Sequence, residues 1–198
     1  MVFASLWSRR LDQTIAAYER KAETASAPAA RASFFNLAAE TARDAGREPL
    51  ALELEGRAID AWVRADRIDA AAALCRKIVR HSPTVVRTWC TLAWLDIGRG
   101  HFSDVRMHVD HYVDAADRAG RDRLALVQVR RMSALSHNDD LRLHLGERLL
   151  WLGDDSSADH VFGLVFEERN GLRRPPTDDP TLRMLEARRA VLQPARAA

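Results

Sequence analysis

Apolar side chains recur at three- and four-residue spacing along most of the chain, and glycine, proline or a capping residue interrupts each run. This periodicity is typical of amphipathic helices. No segment alternates apolar and polar residues over a length that favours a strand. The pattern predicts helices at about 3–25, 28–46, 50–64, 68–81, 84–98, 102–119, 121–136, 139–152, from 157 onwards and at 181–192.

Residues with special backbone roles mark the predicted helix ends. Ser82-Pro83 predicts the start of the fifth helix, and Asn138 the N-cap of the eighth. Ser156, followed by Asp159 three residues later, predicts the N-cap of the ninth helix as a variant capping box. Predicted stops lie at Gly46, the turn around Asp66, Gly100, Gly120 and Gly153.

Short connections between helices of this length make neighbours antiparallel. The predicted fold class is therefore all-α, an antiparallel helix-hairpin array of about nine to ten helices. Residues 1–170 are predicted to form one helical repeat domain. Residues 171–180 carry three prolines and are predicted to form a linker, and residues 181–198 a C-terminal capping helix and tail.

Comparing the chain with itself at a shift of 34 residues aligns two successive helix pairs. Pro49 aligns with Pro83, and the turn residue Asp66 aligns with Gly100. This period is typical of helix–turn–helix units that stack on their neighbours.

The residues of these units match parts of a known repeat pattern. Trp89-x2-Leu92 stands where one unit opens, and Ala71-x3-Cys75 stands for the A-x3-F of the preceding unit. Over about residues 28–119 the chain therefore resembles the tetratricopeptide repeat (TPR) family.

Some positions depart from that pattern. Glu55 replaces the opening aromatic of the earlier unit, Asp96 replaces the tyrosine of the later unit, and Asp117 replaces its closing proline. Beyond residue 120 the alanine and aromatic matches disappear, so the C-terminal half is expected to be repeat-like only.

The resemblance implies an α-solenoid whose stacked helix pairs leave a concave groove lined by the first helix of each pair. In the TPR family this groove holds peptides. The residues that the resemblance places at the groove are Glu53, Gly56, Asp60, Arg64, Arg87, Cys90, Trp94, Gln128 and Arg131.

Trp94 stands out among them, because Trp89, Leu92 and Leu95 already supply a core face to its helix. An exposed aromatic flanked by arginines is typical of an interface anchor. The alternative is that Trp94 packs between repeats, as large aromatic side chains usually do.

One predicted helix carries a stripe of histidines. His101, Asp104, His108 and His111 recur at three- and four-residue spacing and supply nitrogen and oxygen donors that a divalent metal accepts. The alternative is a solvated polar face beside an apolar one. Neither HExxH nor a repeated Glu-x-x-His pair is present, so no metal site and no cofactor is expected.

Signals for catalysis are weak. Ser133 and His137 lie one helical turn apart without a glycine elbow, and no glycine-rich phosphate loop is present. Cys75 and Cys90 lie in apolar stretches without CxxC spacing, which predicts buried, reduced thiols. The chain is not expected to be an enzyme.

Arginines crowd the C-terminal half and provide a rival interpretation, a nucleic-acid-binding face. The alternative is that neighbouring carboxylates pair with them on solvated surfaces. The arginines are Arg118, Arg121, Arg123, Arg130, Arg131, Arg142, Arg148, Arg173, Arg174, Arg183, Arg188 and Arg189. The carboxylates are Asp117, Asp122, Asp139, Asp140, Glu147, Asp154 and Asp155.

The net charge is only +2, from 30 basic and 28 acidic residues, which does not itself predict nucleic-acid binding. The sequence therefore favours a scaffold that docks a peptide or helix of another protein. Nucleic-acid binding is the alternative, and metal binding a weaker one. No leader or membrane span is expected, which favours a cytoplasmic protein, and self-association through helix nine stays open.

Overall fold

The computed structural model describes the backbone of residues 2–171 and the side chains of residue 7 and residues 9–166. Within that part every regular element is an α-helix. The helices are α1 (Val2–Thr24), α2 (Pro28–Asp44), α3 (Glu48–Arg64), α4 (Ile68–His81), α5 (Val86–Arg99), α6 (Phe102–Arg118), α7 (Asp122–Leu135), α8 (Asp139–Trp151) and α9 (Asp155–Gly171). The predicted all-α array of antiparallel hairpins is confirmed.

Part of the predicted domain organisation lies outside the described residues. The final helix at 181–192, and all of the linker except Gly171, belong to residues 172–198. These domain boundaries stay predictions. Among the described helices, none combines the length and apolarity that crossing a membrane requires.

The predicted turns recur in the structure with a shared backbone conformation. Asp66 has a φ of +55° and Gly100, 34 residues later, a φ of +72°. Aspartate and glycine both adopt this left-handed region more readily than most residues. The two residues follow α3 and α5, so the turn geometry repeats with the period read from the sequence.

The predicted N-caps are right at α8 and wrong at α9. Asn138 Oδ1 accepts a hydrogen bond from the Leu141 backbone N–H at 2.8 Å. At α9 the cap is Asp154 instead of Ser156, because α9 begins at Asp155 and Asp154 Oδ1 accepts from the Ser157 N–H at 3.3 Å. Aspartate and serine are both preferred N-cap residues, and the negative charge of aspartate in addition suits the positive end of the helix.

The start predicted for the fifth helix at Ser82-Pro83 is also displaced. α5 begins at Val86, and Ser82 instead closes α4. The Ser82 hydroxyl does not cap α5 and instead donates a hydrogen bond to Glu48 Oε1 at 3.2 Å.

The chain divides into two compact units, residues 1–88 and 89–198. In the first unit α1, α2, α3 and α4 pack consecutively. Its contacts bury many small side chains, which allow helices to approach closely. These are Ala22, Ala32, Ala38, Ala39, Ala42, Ala51, Ala58, Ala61, Ala71 and Ala72.

In the second unit α6, α7, α8 and α9 pack together, and its core uses larger side chains such as Tyr112, Met132 and Phe162. Gly146 of α8 allows α9 to approach, because a Cβ there would lie 2.4 Å from the Phe162 ring. Glycine inside a helix is otherwise unfavourable, so this close approach explains its presence.

Side chains 34 residues apart meet repeatedly within each unit, which extends the repeat beyond the part that the sequence pattern marks. Two such pairs lie in the first unit, Glu23 with Arg57 and Glu48 with Ser82. The second unit has Trp94 with Gln128, Arg106 with the Asp140 carbonyl, and Asp110 with His144. Helix stacking therefore keeps the period after residue 120, where the consensus residues are lost.

Candidate functional site

In the first unit, the predicted groove residues of α3 lie on one helix face. Glu53, Asp60 and Arg64 follow one another at a helical spacing and lie at least partly in solvent. Both carboxylate oxygens of Asp60 accept from Arg87 Nη2 at 2.8 Å. Gly56 lies beside the same guanidinium, with 3.5 Å between Arg87 Nη1 and the place of a Cβ. The structure thus brings these residues of the first unit together.

A cleft of about 310 Å³ lies beside this face and is lined by Glu23, Arg31, Phe35, Arg57, Asp60 and Arg64. Arg57 crosses it, donating to Glu19 at 3.1 Å and to Glu23 at 3.2 Å. The Arg57 guanidinium also lies 4.1 Å from the centroid of the Phe35 ring, a cation–π contact.

Most charges of this cleft are committed to partners inside the unit. Arg31 donates to the carbonyls of Ala22 at 3.2 Å and Ala25 at 3.0 Å. Only Arg64 among the lining arginines makes no ion pair or side-chain hydrogen bond within the described residues. A ligand entering here would have to displace existing ion pairs.

Arg57 and Phe35 are absent from the predicted site. Arg57 lies one helical turn from both Glu53 and Asp60, so the spacing of the predicted residues indicates it. Phe35 gives no such signal, because its contact with Arg57 depends on how α2 and α3 pack.

Glu55, which replaces the opening aromatic residue of the TPR pattern, has a structural role in the first unit. Glu55 is fully buried and accepts two hydrogen bonds from Arg43, at 2.9 and 2.8 Å. The Glu55 carboxylate, and after it Glu48 at 3.2 Å, raise the pKa of the Arg43 guanidinium. This bidentate pair replaces an aromatic side chain by a charged contact between α2 and α3.

In the second unit, Trp94 and Gln128 meet as the predicted groove residues require. Trp94 Nε1 donates to Gln128 Oε1 at 3.0 Å, and the indole is half-buried. Arg131, the third predicted residue, lies exposed less than one turn after Gln128 on α7. These three residues therefore adjoin one surface of the second unit.

That surface is an exposed side of α7 with an unusual composition. We call Arg123, Leu124, Val127, Arg131 and Leu135 the α7 face. Its three apolar side chains are 46%, 41% and 61% exposed in chain order. Neither arginine makes an ion pair within the described residues. Large apolar side chains are therefore presented to solvent together with two cations.

A cleft of about 450 Å³ between α7 and α9 adjoins the α7 face. We call it the α7–α9 cleft, and its lining residues are Arg130, Ser133, Ala134, Ser156, Ser157, His160, Val161 and Leu164. Arg130 and Ala134 each lie one helical turn from a member of the α7 face, so face and cleft are continuous on α7. Sequence reasoning missed this cleft, because α9 meets α7 only through tertiary packing.

Arg130, which lines the α7–α9 cleft, pairs with Asp154. The Arg130 guanidinium holds the pKa of Asp154 below its ordinary value, and the pKa of Arg130 is raised in turn. Because Asp154 also caps α9, the pair ties α7 to the start of α9.

The histidine stripe is not the uniformly solvated face expected from the sequence. His108 is only 4% exposed, and its Nδ1 lies 2.9 Å from Asp96 Oδ2, a fully buried carboxylate. Arg99 at 3.6 Å and His101 at 3.9 Å also approach Asp96. The expectation was wrong for His108 because a buried carboxylate requires a partner.

The other members of the stripe remain at the surface. His101, Asp104 and His111 are exposed, and the ring of His111 stacks on Trp89 with 4.5 Å between centroids. Within the described residues, no group of three or more histidine, cysteine or carboxylate side chains is arranged to hold a metal ion.

The cysteines are free thiols, as predicted. Cys75 is buried, but Cys90 is only half-buried. Burial nevertheless raises the pKa of Cys90 to about 11 and also raises the pKa of the neighbouring Tyr112. A thiol this weakly acidic has little thiolate at neutral pH and is a poor nucleophile.

The arginine-rich segment is partly neutralised. Arg130 pairs with Asp154, Arg148 with Asp110 at 3.0 Å, and Arg142 lies 3.9 Å from Asp139. Four others are exposed and make no ion pair within the described residues: Arg118, Arg121, Arg123 and Arg131. The predicted Arg173, Arg174, Arg183, Arg188 and Arg189 lie outside the described residues.

The comparisons with known proteins add little to this geometry. No family model matches the chain, and no curated protein matches it. Among solved structures, a thermophilic TPR protein of Thermus thermophilus is similar, with 14% identity and a TM-score of 0.28. The match covers 81% of this chain and 98% of that chain. A superposition this loose carries no functional inference, and the fold class rests on the helices themselves.

Proposed function

We propose that this chain is a protein-interaction module, a helical-repeat scaffold without catalytic activity that docks a peptide or helix of another protein. The docking surface of the second unit consists of the α7 face and the α7–α9 cleft. The exposed apolar side chains of α7 carry this proposal. Leu124, Val127 and Leu135 lie on one side of a helix whose opposite side already packs into the core.

Clustered exposure of this kind marks an interaction surface more often than a bare monomer surface. In a helical hairpin one side of each helix packs into the core, and the solvent-exposed side usually carries polar residues. On α7 it carries leucine and valine instead. Arg131, and Trp94 at the edge of the face, are residue types that are enriched among binding anchors.

Groove residues of the first unit are proposed as a secondary contact only. Asp60 is held by Arg87, and Arg57 by Glu19 and Glu23. A partner gains little from side chains whose ion pairs must first be broken.

The proposal is tested by placing a photo-crosslinking amino acid at Val127 in the full chain and irradiating it in the native lysate. A matched chain carries the same group at Ala73, an exposed position on α4 in the first unit. We expect a discrete protein adduct from position 127 and none from position 73. An adduct should also be lost when Leu124→Asp is added to the Val127 chain.

Three outcomes contradict the proposal. Equal adducts from both positions would indicate non-specific contact, and an adduct of the chain with itself would indicate self-association. Adducts with nucleic acid alone would favour the alternative predicted from the arginines.

A further inference from the structure

The charge of the α7 face indicates the chemistry of its partner. Arg123 and Arg131 lie one helical turn before and one turn after Val127. Neither pairs with a carboxylate within the described residues, whereas Arg130 beside them is held by Asp154. The apolar centre of the face is therefore flanked by two cations to which no described side chain supplies a carboxylate partner.

We propose that the α7 face and the α7–α9 cleft bind an amphipathic helix of a partner protein whose polar edge carries carboxylates. The inference rests on the proposed function and adds the partner's chemistry. The apolar side of the partner helix covers Leu124, Val127 and Leu135, and its carboxylates pair with Arg123 and Arg131.

Helix geometry sets the spacing of those carboxylates. Arg123 and Arg131 are eight residues apart, or about 12 Å along the axis of α7. A partner helix that runs alongside α7 matches both arginines when its acidic residues are about two turns apart. Binding to an arginine pair is also geometrically selective, because a guanidinium accepts a carboxylate side-on through two N–H groups.

The α7–α9 cleft supplies a second element of recognition. Ala134, Val161 and Leu164 form its apolar part, while Ser133, Ser157 and His160 give it polar positions. A volume of about 450 Å³ has room for large apolar side chains of the partner. Such anchoring in a pocket is how a helix usually docks into a groove.

Two other occupants fit the face less well. A nucleic-acid backbone satisfies the arginines but leaves the apolar side chains of α7 in water. A second copy of this chain, docked through the same face, brings arginine against arginine, and like charges across an interface oppose association.

The test uses fluorescence anisotropy of a labelled synthetic peptide with the full chain. The peptide is an 18-residue helix-forming sequence with a leucine stripe and glutamates two turns apart along its edge. One control peptide has the same composition with the stripe scrambled, and another has lysine in place of glutamate. We expect the acidic amphipathic peptide to bind and both controls to bind at least tenfold more weakly.

Variants then locate the site. Arg123→Glu combined with Arg131→Glu should weaken binding roughly tenfold, the scale of two lost surface ion pairs. The charge-matched control, Arg67→Glu with Arg80→Glu, reverses two exposed arginines in the first unit and should leave binding within about twofold. Val127→Asp should weaken binding as well, and circular dichroism checks that each variant stays helical.

The inference is overturned if both double variants lose affinity equally, because net charge alone would then explain binding. It is also overturned if the scrambled peptide binds as well, or if a labelled RNA oligonucleotide binds more tightly at the same face. Sedimentation showing a dimer that Val127→Asp dissociates would assign the face to a second copy. If position 127 still crosslinks a protein while the acidic peptide does not bind, the proposed function survives and only this inference fails.

Discussion

The exposed sides of α3 and α7 belong to the first helices of two hairpins, yet they carry different chemistry. On α3 two charged side chains form ion pairs within the unit, Arg57 with Glu19 and Glu23, and Asp60 with Arg87. On α7 apolar side chains alternate with arginines that have no carboxylate partner within the described residues. Position in the repeat therefore does not decide whether the exposed charged side chains of a helix pair within their own unit.

Removing the buried carboxylate beneath the α3 face should have the largest effect. Glu55→Ala leaves Arg43 without its bidentate partner and should lower the free energy of unfolding by about 3 kcal/mol. Glu53→Ala, an exposed neighbour on α3, should change it by less than about 0.5 kcal/mol. Urea unfolding of the full chain measures both. Equal effects would contradict the structural role of the Arg43–Glu55 pair.

Adding a side chain where α8 and α9 approach closely in the second unit should have the next largest effect on the free energy of unfolding. Gly146→Ala places a methyl group against the fully buried Phe162 ring. Although alanine favours helices, this overpacking should lower the free energy of unfolding by about 1–3 kcal/mol. The exposed Gly98→Ala on α5, where a Cβ meets no atom within 4 Å, is the matched control and should not destabilise the chain. A stabilised Gly146→Ala chain would show that α8 and α9 lie further apart.

Replacing one arginine by alanine on each helix should distinguish a side chain that stabilises its unit from one that does not. Arg57→Ala removes two ion pairs and the contact with Phe35, which should lower the free energy of unfolding by about 1 kcal/mol. Arg131→Ala should change it by less than about 0.5 kcal/mol. If both substitutions lowered the free energy of unfolding equally, Arg131 would stabilise its unit as Arg57 does. That result would contradict the difference between the exposed sides of α3 and α7.

The smallest expected effect concerns pH. The pKa of Asp154 is held below its ordinary value of 3.8, mainly by Arg130. Because the folded pKa is lowered, the Asp154 contribution is present above the ordinary value and is lost as pH falls through the folded value. Arg130→Ala should therefore shift the onset of acid unfolding to higher pH. Asp114→Asn, which removes an exposed carboxylate of α6, is the control and should leave the onset nearly unchanged.

The sequence predicts the helices and most of their ends well, because apolar periodicity, glycine and asparagine caps are local signals. It misplaces the start of α9 because Asp154 and Ser156 are both suitable capping residues, and the structure uses Asp154. It misassigns His108 because the contact of this histidine with the buried Asp96 depends on how α5 and α6 pack.

The candidate site likewise contains some residues that the sequence predicts and others that it does not. Asp60 contacts Arg87 and shares a cleft with Arg64 in the first unit, and Trp94 contacts Gln128, 34 residues later, in the second. Phe35, Val161 and Leu164 enter the two clefts only through tertiary packing. The sequence also does not show which arginines form ion pairs within the chain, because those pairs depend on distances between helices.

The most direct test of the central claim compares two valines of nearly equal exposure. Val127 on α7 is 41% exposed and Val63 on α3 is 40% exposed. Methyl NMR spectra of the full chain are recorded with the acidic amphipathic peptide carrying a spin label. We predict that the Val127 and Leu164 methyl signals broaden while the Val63 signal does not. Equal broadening of the two valines, or broadening of Val63 alone, would contradict the assignment of docking to α7.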